Sequence, residues 1–199
     1  MTTVAIISQK GGAGKTTLAL HLAVAAQDAG RVSLIIDTDP QATASQWGSW
    51  REDKPPEVID SPPPRLAAKV EQAQEQGAQF VVIDTPPHAD SAARAAVETA
   101  DLVLIPCRPS AFDLAAIQTT VKLVQLLRNP AFVVFTAGSP NAPRMYEEAN
   151  ELVGSFGISA CPVQLPDRAA CRHASAEGRT VMETEPDGKA ADEIRQLYK

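Results

Sequence analysis

The residues best equipped for chemistry lie near the N-terminus, in KGGAGKTT from Lys10 to Thr17, just after the apolar run VAII. Gly11, Gly12 and Gly14, with Ala13 among them, form a loop whose backbone N–H groups can approach an anion closely. Lys15 adds a positive charge, Thr16 and Thr17 add hydroxyls, and the helix expected to start here adds the positive end of its dipole. In this strand, glycine-loop and helix context, Lys15 is expected on the β- and γ-phosphates of a nucleotide and Thr16 on Mg²⁺. One position departs from the pattern G-x-x-x-x-G-K-[ST]. Gln9 stands where the first glycine belongs, and Lys10 follows it as a second lysine.

A phosphate site of this kind needs a carboxylate at the end of a neighbouring buried strand. FVVID supplies one in Asp84, four apolar residues and then an acid. IIDTDPQ offers Asp37 and Asp39 at the end of another strand, and ligands bind at the carboxyl ends of strands in such sheets. Two histidines are less promising. His21 falls inside the first helix, where core packing is expected, and His88 follows two prolines in a loop. Trp47 and Trp50 fall on a short helix after IIDTDPQ and are expected to pack against the domain.

The elements that must position these groups are legible as five apolar runs: Val4 to Ile7, Val32 to Ile36, Phe80 to Ile83, Leu102 to Ile105 and Phe132 to Phe135. They are rich in β-branched residues and do not alternate with polar ones, the mark of strands covered on both faces. Helical spacing fills the gaps, from Thr16 to Gly30 and from Phe112 to Leu127 for example. Alternating strands and helices predict a doubly wound α/β domain with a mostly parallel sheet and helices on both faces. The proline-rich stretch Lys54 to Arg65 reads as an extended surface connection. Later in the chain we expect a helix from Ala142 to Ser155, an ISACPV strand, a polar irregular segment from Leu165 to Met182, and a last helix from Pro186 to Tyr198.

With 199 residues, 44% of them hydrophobic and 21% charged, the chain suits one folded domain. Cys107, Cys161 and Cys171 are an odd number without C-x-x-C spacing, which argues against a disulfide framework or zinc site and fits a reducing cytoplasm. No apolar run approaches a membrane span or a secretion signal. A net charge of −6 excludes general polycation behaviour, so any nucleic-acid binding must come from a local patch.

The motifs in combination, KGGAGKTT with its extra lysine, DTDPQ and VVIDTPP, resemble the deviant Walker A ATPases of the ParA/MinD family. The likeness continues through IPCRPSAFDLAAI to Tyr198 and is strongest to the small ParA-type partition ATPases, which lack an N-terminal helix-turn-helix extension. The resemblance implies a slow, Mg²⁺-dependent ATPase that dimerises when ATP is bound. Lys10 then matches the signature lysine that reaches the partner subunit's nucleotide. Asp39 matches the acid that positions the attacking water, and Asp37 and Asp84 match residues around the magnesium. The segments 37–41 and 84–90 match the two switch regions. It further implies nonspecific DNA binding on a bacterial nucleoid, with Arg168, Arg172, Arg179 and Lys189 as candidates, and a ParB-like or other adaptor that stimulates hydrolysis. The cargo would be a plasmid, a chromosome or a protein assembly. Adenine is expected near Pro166 and Asp167.

Two other classes remain to be weighed. A membrane-associated ATPase of the MinD kind needs a basic amphipathic C-terminal helix, whereas KAADEIRQLYK places Asp192 and Glu193 beside Ile194 and Leu197. A metabolic P-loop ligase needs a substrate pocket with convergent polar groups, and no nucleophile or second acidic constellation is visible.

Overall fold

A computed structural model describes all residues, 1–199. Seven parallel strands form one sheet in the order β3-β2-β4-β1-β5-β6-β7: β1 (Thr2–Ile6), β2 (Ser33–Asp37), β3 (Glu57–Asp60), β4 (Phe80–Asp84), β5 (Leu102–Cys107), β6 (Ala131–Phe135) and β7 (Ser159–Ala160). All five strands expected from the apolar runs are present, shifted by a residue or two at their ends, and the expected ISACPV strand is present only as the two-residue β7. In β1 the pleat sends Ala5 into one core and Val4 and Ile6 into the other, with Ile7 just beyond joining Ala5. Both faces are covered, so the run needs no polar alternation.

One face carries α3 (Leu66–Glu75), α4 (Asp90–Thr99), α5 (Ala111–Ala116), α6 (Gln118–Leu127) and α7 (Pro143–Ser155), packed through Leu66, Val97, Leu114, Val121 and Val153. The other carries α1 (Lys15–Asp28), α2 (Thr43–Ser49), α8 (Ala169–Ala176), α9 (Val181–Thr184) and α10 (Lys189–Tyr198), packed through Leu18, Trp47, Ala174, Val181 and Ile194. The helix α1 is buried along most of its length, and its core alanines let it lie close to the sheet and to α10.

Four expectations require correction. The proline-rich connection contains β3, whose pairing with β2 brings Val58 and Ile59 opposite Ile35 and Ile36; two central apolar residues between charged ends left too little pattern to see. The helix expected from 112 to 127 is two helices meeting at Ile117, with no glycine or proline to announce the break. The segment 165–182 contains α8 and the start of α9; in α8 only Ala174 is fully buried, with Ala170 and Cys171 half-buried beside it, so its apolar stripe is short and made of small residues. The last helix starts at Lys189, capped by Gly188, rather than at Pro186.

Trp47 is buried as expected, but Trp50 at the end of α2 is 47% exposed on the whole residue. Its backbone approaches Gly178, where an added Cβ would lie 2.8 Å from the Trp50 carbonyl oxygen and φ is +68°. Glycine is required there on both counts.

Candidate functional site

The phosphate loop occupies the turn between β1 and α1. Gly12 and Gly14 have φ of +72° and +89°, conformations open to glycine and strained for other residues. Gly11 and Gly12 are exposed, whereas Ala13 is buried. The loop is tied from behind by Thr136, whose hydroxyl donates to the Ala13 carbonyl at 2.8 Å, and from the front by Arg108, whose guanidinium donates to the Gly12 carbonyl at 2.9 Å. Thr16 and Thr17 lie in the first turn of α1 with Lys15. Lys15 is 7% exposed, its Nζ 3.5 Å from the Lys10 carbonyl. Burial lowers its pKa, opposed by Asp84 and then Asp39.

Strand register brings the acids to the same level. Asp37 of β2 is paired with Asp84 of β4, and Asp84 is in turn paired with Ile6 of β1, just before the loop. Asp37 accepts from the backbone N–H groups of Asp39 and Ser45, at 3.0 Å each, and from the Ser45 hydroxyl. Burial raises its pKa, and those hydrogen bonds oppose the shift. Asp39, half-buried, accepts from the Gln41 N–H at 2.9 Å.

Asp84 differs from both. It is 1% exposed, and neither carboxylate oxygen has a hydrogen-bond partner. Burial pushes its pKa up to about 7; the Thr16 hydroxyl opposes this without completing a hydrogen bond of good geometry, Asp37 and Asp39 add to the rise, and Lys15 opposes it. A buried carboxylate without partners is costly unless something binds it. Magnesium, which takes one or two carboxylates plus phosphate oxygens and water, fits this donor set of Asp84, Thr16 and Asp37.

Beside the loop is a cleft of about 360 Å³ lined by Gly12, Gly14, Thr17, Thr136, Pro166 and Asp167, with Arg108, Arg168, Arg172 and Glu193 at its polar side. Pro166 and Asp167, near which adenine is expected, thus share one cleft with the phosphate loop. The Asp167 N–H donates to the Gly138 carbonyl at 3.0 Å, fixing this strap to the end of β6.

Lys10 and Lys15 go to different places. Lys15 is enclosed by the loop, whereas the Lys10 side chain is 41% exposed and its Nζ is 2.8 Å from Asp113 Oδ1 at the start of α5. Gln9, the residue in place of a glycine, joins the loop to the segment that follows β4: its amide donates to Asp90 at 2.8 Å, and its carbonyl accepts the His88 N–H at 3.2 Å.

The basic residues do not gather into one free patch. Arg168 is paired with Glu193, and Arg172 with Asp167. Arg179 and Lys189 are exposed and form no ion pair. His21 is fully buried: its Nδ1 is 2.7 Å from the Thr17 carbonyl and its Nε2 accepts the Val181 N–H at 3.3 Å, as expected of a structural histidine. Arg108 and Asp113 lie within IPCRPSAFDLAAI, where the family likeness continues, but that stretch assigns neither of them a role, and Thr136 carries no motif. The available signal is position, since Arg108 and Thr136 each follow directly on a buried strand adjoining the site.

Residues 4–181 match the family described as the CobQ/CobB/MinD/ParA nucleotide binding domain. The "Maintenance of carboxysome distribution protein A" of Halothiobacillus neapolitanus is 31% identical, over 98% of this chain and 94% of that protein. The protein of the same name from Gloeobacter kilaueensis is 34% identical, over 98% and 90%. Among solved structures, a complex of Cyanothece McdA with ATP superposes with a TM-score of 0.78 at 18% identity, covering 99% of this chain and 95% of that one. The seven-stranded parallel sheet, the glycine loop with its two lysines and the acids at the neighbouring strand ends thus accompany a family match over most of the sequence, and the chain belongs to the ParA/MinD family of P-loop nucleotide-binding proteins.

Proposed function

We propose that the chain is an ATP-driven positioning switch whose cargo is a protein assembly. The observation that carries this reading is the division of labour between the two lysines. Lys15 lies enclosed by the loop that would hold the protein's own nucleotide, while the Lys10 side chain at the start of that loop is partly exposed. A second molecule bringing its nucleotide to that surface concentrates negative charge that Lys10 can offset, so association depends on bound ATP. Magnesium, held by Thr16, Asp37 and Asp84, would bridge phosphate oxygens and neutralise their charge. Asp39, at the start of the first switch region, would orient the attacking water. Loss of the γ-phosphate then releases the switch segments and the dimer.

The ATP dimer would bind DNA through phosphate contacts, with Arg179 and Lys189 available as the free cations and the patch doubled by dimerisation. An adaptor protein would stimulate hydrolysis. A protein assembly is preferred over a plasmid or chromosome because the Halothiobacillus and Gloeobacter relatives, above 30% identity over 98% of this chain, are named for carboxysome distribution. The membrane alternative loses its main element. The apolar side of α10 is spent in the core: Ala190, Ala191 and Ile194 are buried, and Tyr198 packs edge-on against Phe80 at 5.4 Å. No helix is long and apolar enough to cross a membrane.

The test is DNA binding at low salt by the wild type with ATP, the wild type with ADP, and Lys15→Ala with ATP. Binding only in the first case is expected. Equal binding in all three overturns the switch.

A further inference from the structure

Arg108 is an unassigned cation at the edge of the phosphate loop. It follows β5 directly, so its backbone is fixed at the carboxyl end of a strand paired with β1. Its guanidinium has five N–H donors, and one protein acceptor takes up the group, the Gly12 carbonyl at 2.9 Å. No carboxylate forms an ion pair with it; Asp113, whose carboxyl feels its charge, is hydrogen-bonded to Lys10 and Ser110. Arg108 also lines the cleft that Gly12, Gly14 and Thr17 share with Pro166 and Asp167.

An arginine that spends one donor on a backbone carbonyl keeps the rest of its fork for an anion, and the hydrogen bond to Gly12 holds it beside the glycines that would receive phosphates. We propose that Arg108 is a nucleotide-binding residue that contacts the phosphates of a nucleoside di- or triphosphate from within the same subunit, as a third cation of the site beside Lys15 and Lys10. This deepens the ATP-switch reading and rests on it. Arg108 carries its charge in from β5, an element outside the glycine loop, so nucleotide binding would also fix the β5–α5 connection that carries Asp113.

The role separates from a purely structural one because glutamine can keep the hydrogen bond to Gly12 but not the charge. Fluorescent ADP is titrated into the wild type and into Arg108→Ala, Arg108→Gln and Arg108→Lys at two salt concentrations, with circular dichroism as the check of folding. The expected result is a dissociation constant raised about tenfold in both Arg108→Ala and Arg108→Gln, an intermediate value in Arg108→Lys, which keeps the charge but not the fork, and a weaker salt dependence wherever the charge is lost. Wild-type affinity in a folded Arg108→Gln or Arg108→Ala overturns the inference while leaving the ATP-switch reading intact. A wild type that does not bind ADP overturns both.

Discussion

Lys10 of the phosphate loop and Asp113 at the start of α5 form an ion pair of 2.8 Å within one subunit. Burial alone would raise the Asp113 pKa, but hydrogen bonds from Lys10 and Ser110 and the charges of Lys10 and Arg108 hold it below the usual carboxylate range. If Lys10 serves the partner's nucleotide, it must first leave this carboxylate. Asp113→Asn removes the competitor and keeps the shape. The ATP dimer is then expected at a protein concentration lower by about two- to fivefold, the scale of a partly exposed pair. Sedimentation with a non-hydrolysed ATP analogue measures it, and a weakened dimer would mean that Asp113 orients Lys10 instead.

Asp84 represents a conflict between stability and binding. Its unpartnered oxygens destabilise the nucleotide-free protein, and the same oxygens are what magnesium would use. Asp84→Ala should therefore raise the unfolding free energy without nucleotide by about 1 to 3 kcal/mol, the cost of an unsatisfied buried polar group. It should also abolish the extra thermal protection that Mg²⁺ gives with ATP over ATP alone. Melting curves with and without Mg²⁺ decide both points, and a variant that keeps the Mg²⁺-dependent protection removes Asp84 from the metal site.

His21 makes stability depend on pH. Burial lowers its pKa to about 4, against opposing contributions from the Thr17 carbonyl and Glu183. The unfolded histidine takes up a proton near pH 6.5 and the folded one does not, so its contribution is complete above 6.5 and declines as pH falls toward 4. At 1.36 kcal/mol per pKa unit, the full loss is about 3 kcal/mol. His21→Gln should be less stable than the wild type at pH 7 yet show a shallower decline between pH 6.5 and 5 in urea titrations. An unchanged slope would show that other groups set it.

The phosphate-loop motif was legible because Gly12 and Gly14 are demanded by backbone conformation and Lys15 brings charge in a strand-loop-helix context, and Asp37 and Asp84 were legible because buried strands announce their own ends. The partners that act on the loop from elsewhere in the chain were not. Asp113 lies 103 residues beyond Lys10 in a segment that reads as an ordinary helix start, and Thr136 and Arg108 are single residues after strands with no repeating pattern around them. The helix α8 was hidden for another reason: its residues are small or polar, and it packs through Ala174 with only Ala170 and Cys171 half-buried beside it. Long-range pairing and small-residue packing leave little local trace.

Arg51 clasps the C-terminal segment to α2, so its removal should cost more than any surface ion pair. Its side chain is 3% exposed and its guanidinium lies 4.4 Å over the Trp47 ring. It donates to both oxygens of Glu183, at 3.0 and 3.1 Å, and to the Gly178 carbonyl at 2.9 Å, while Trp47 Nε1 donates to the Arg179 carbonyl at 3.2 Å. Arg51→Ala leaves Glu183 without its cation and the Gly178 carbonyl without its donor, a change expected to cost about 3 to 5 kcal/mol. Arg51→Lys restores the charge but neither the fork nor the stacking, so it should recover only a small part. Adding Glu183→Gln to Arg51→Ala should be less than additive, since the carboxylate left behind is then neutral. Urea unfolding of the two single variants and the double closes this cycle. A cost below about 1 kcal/mol for Arg51→Ala would place the pair among exposed ones and remove the mechanical tie between α2 and the segment carrying Arg179.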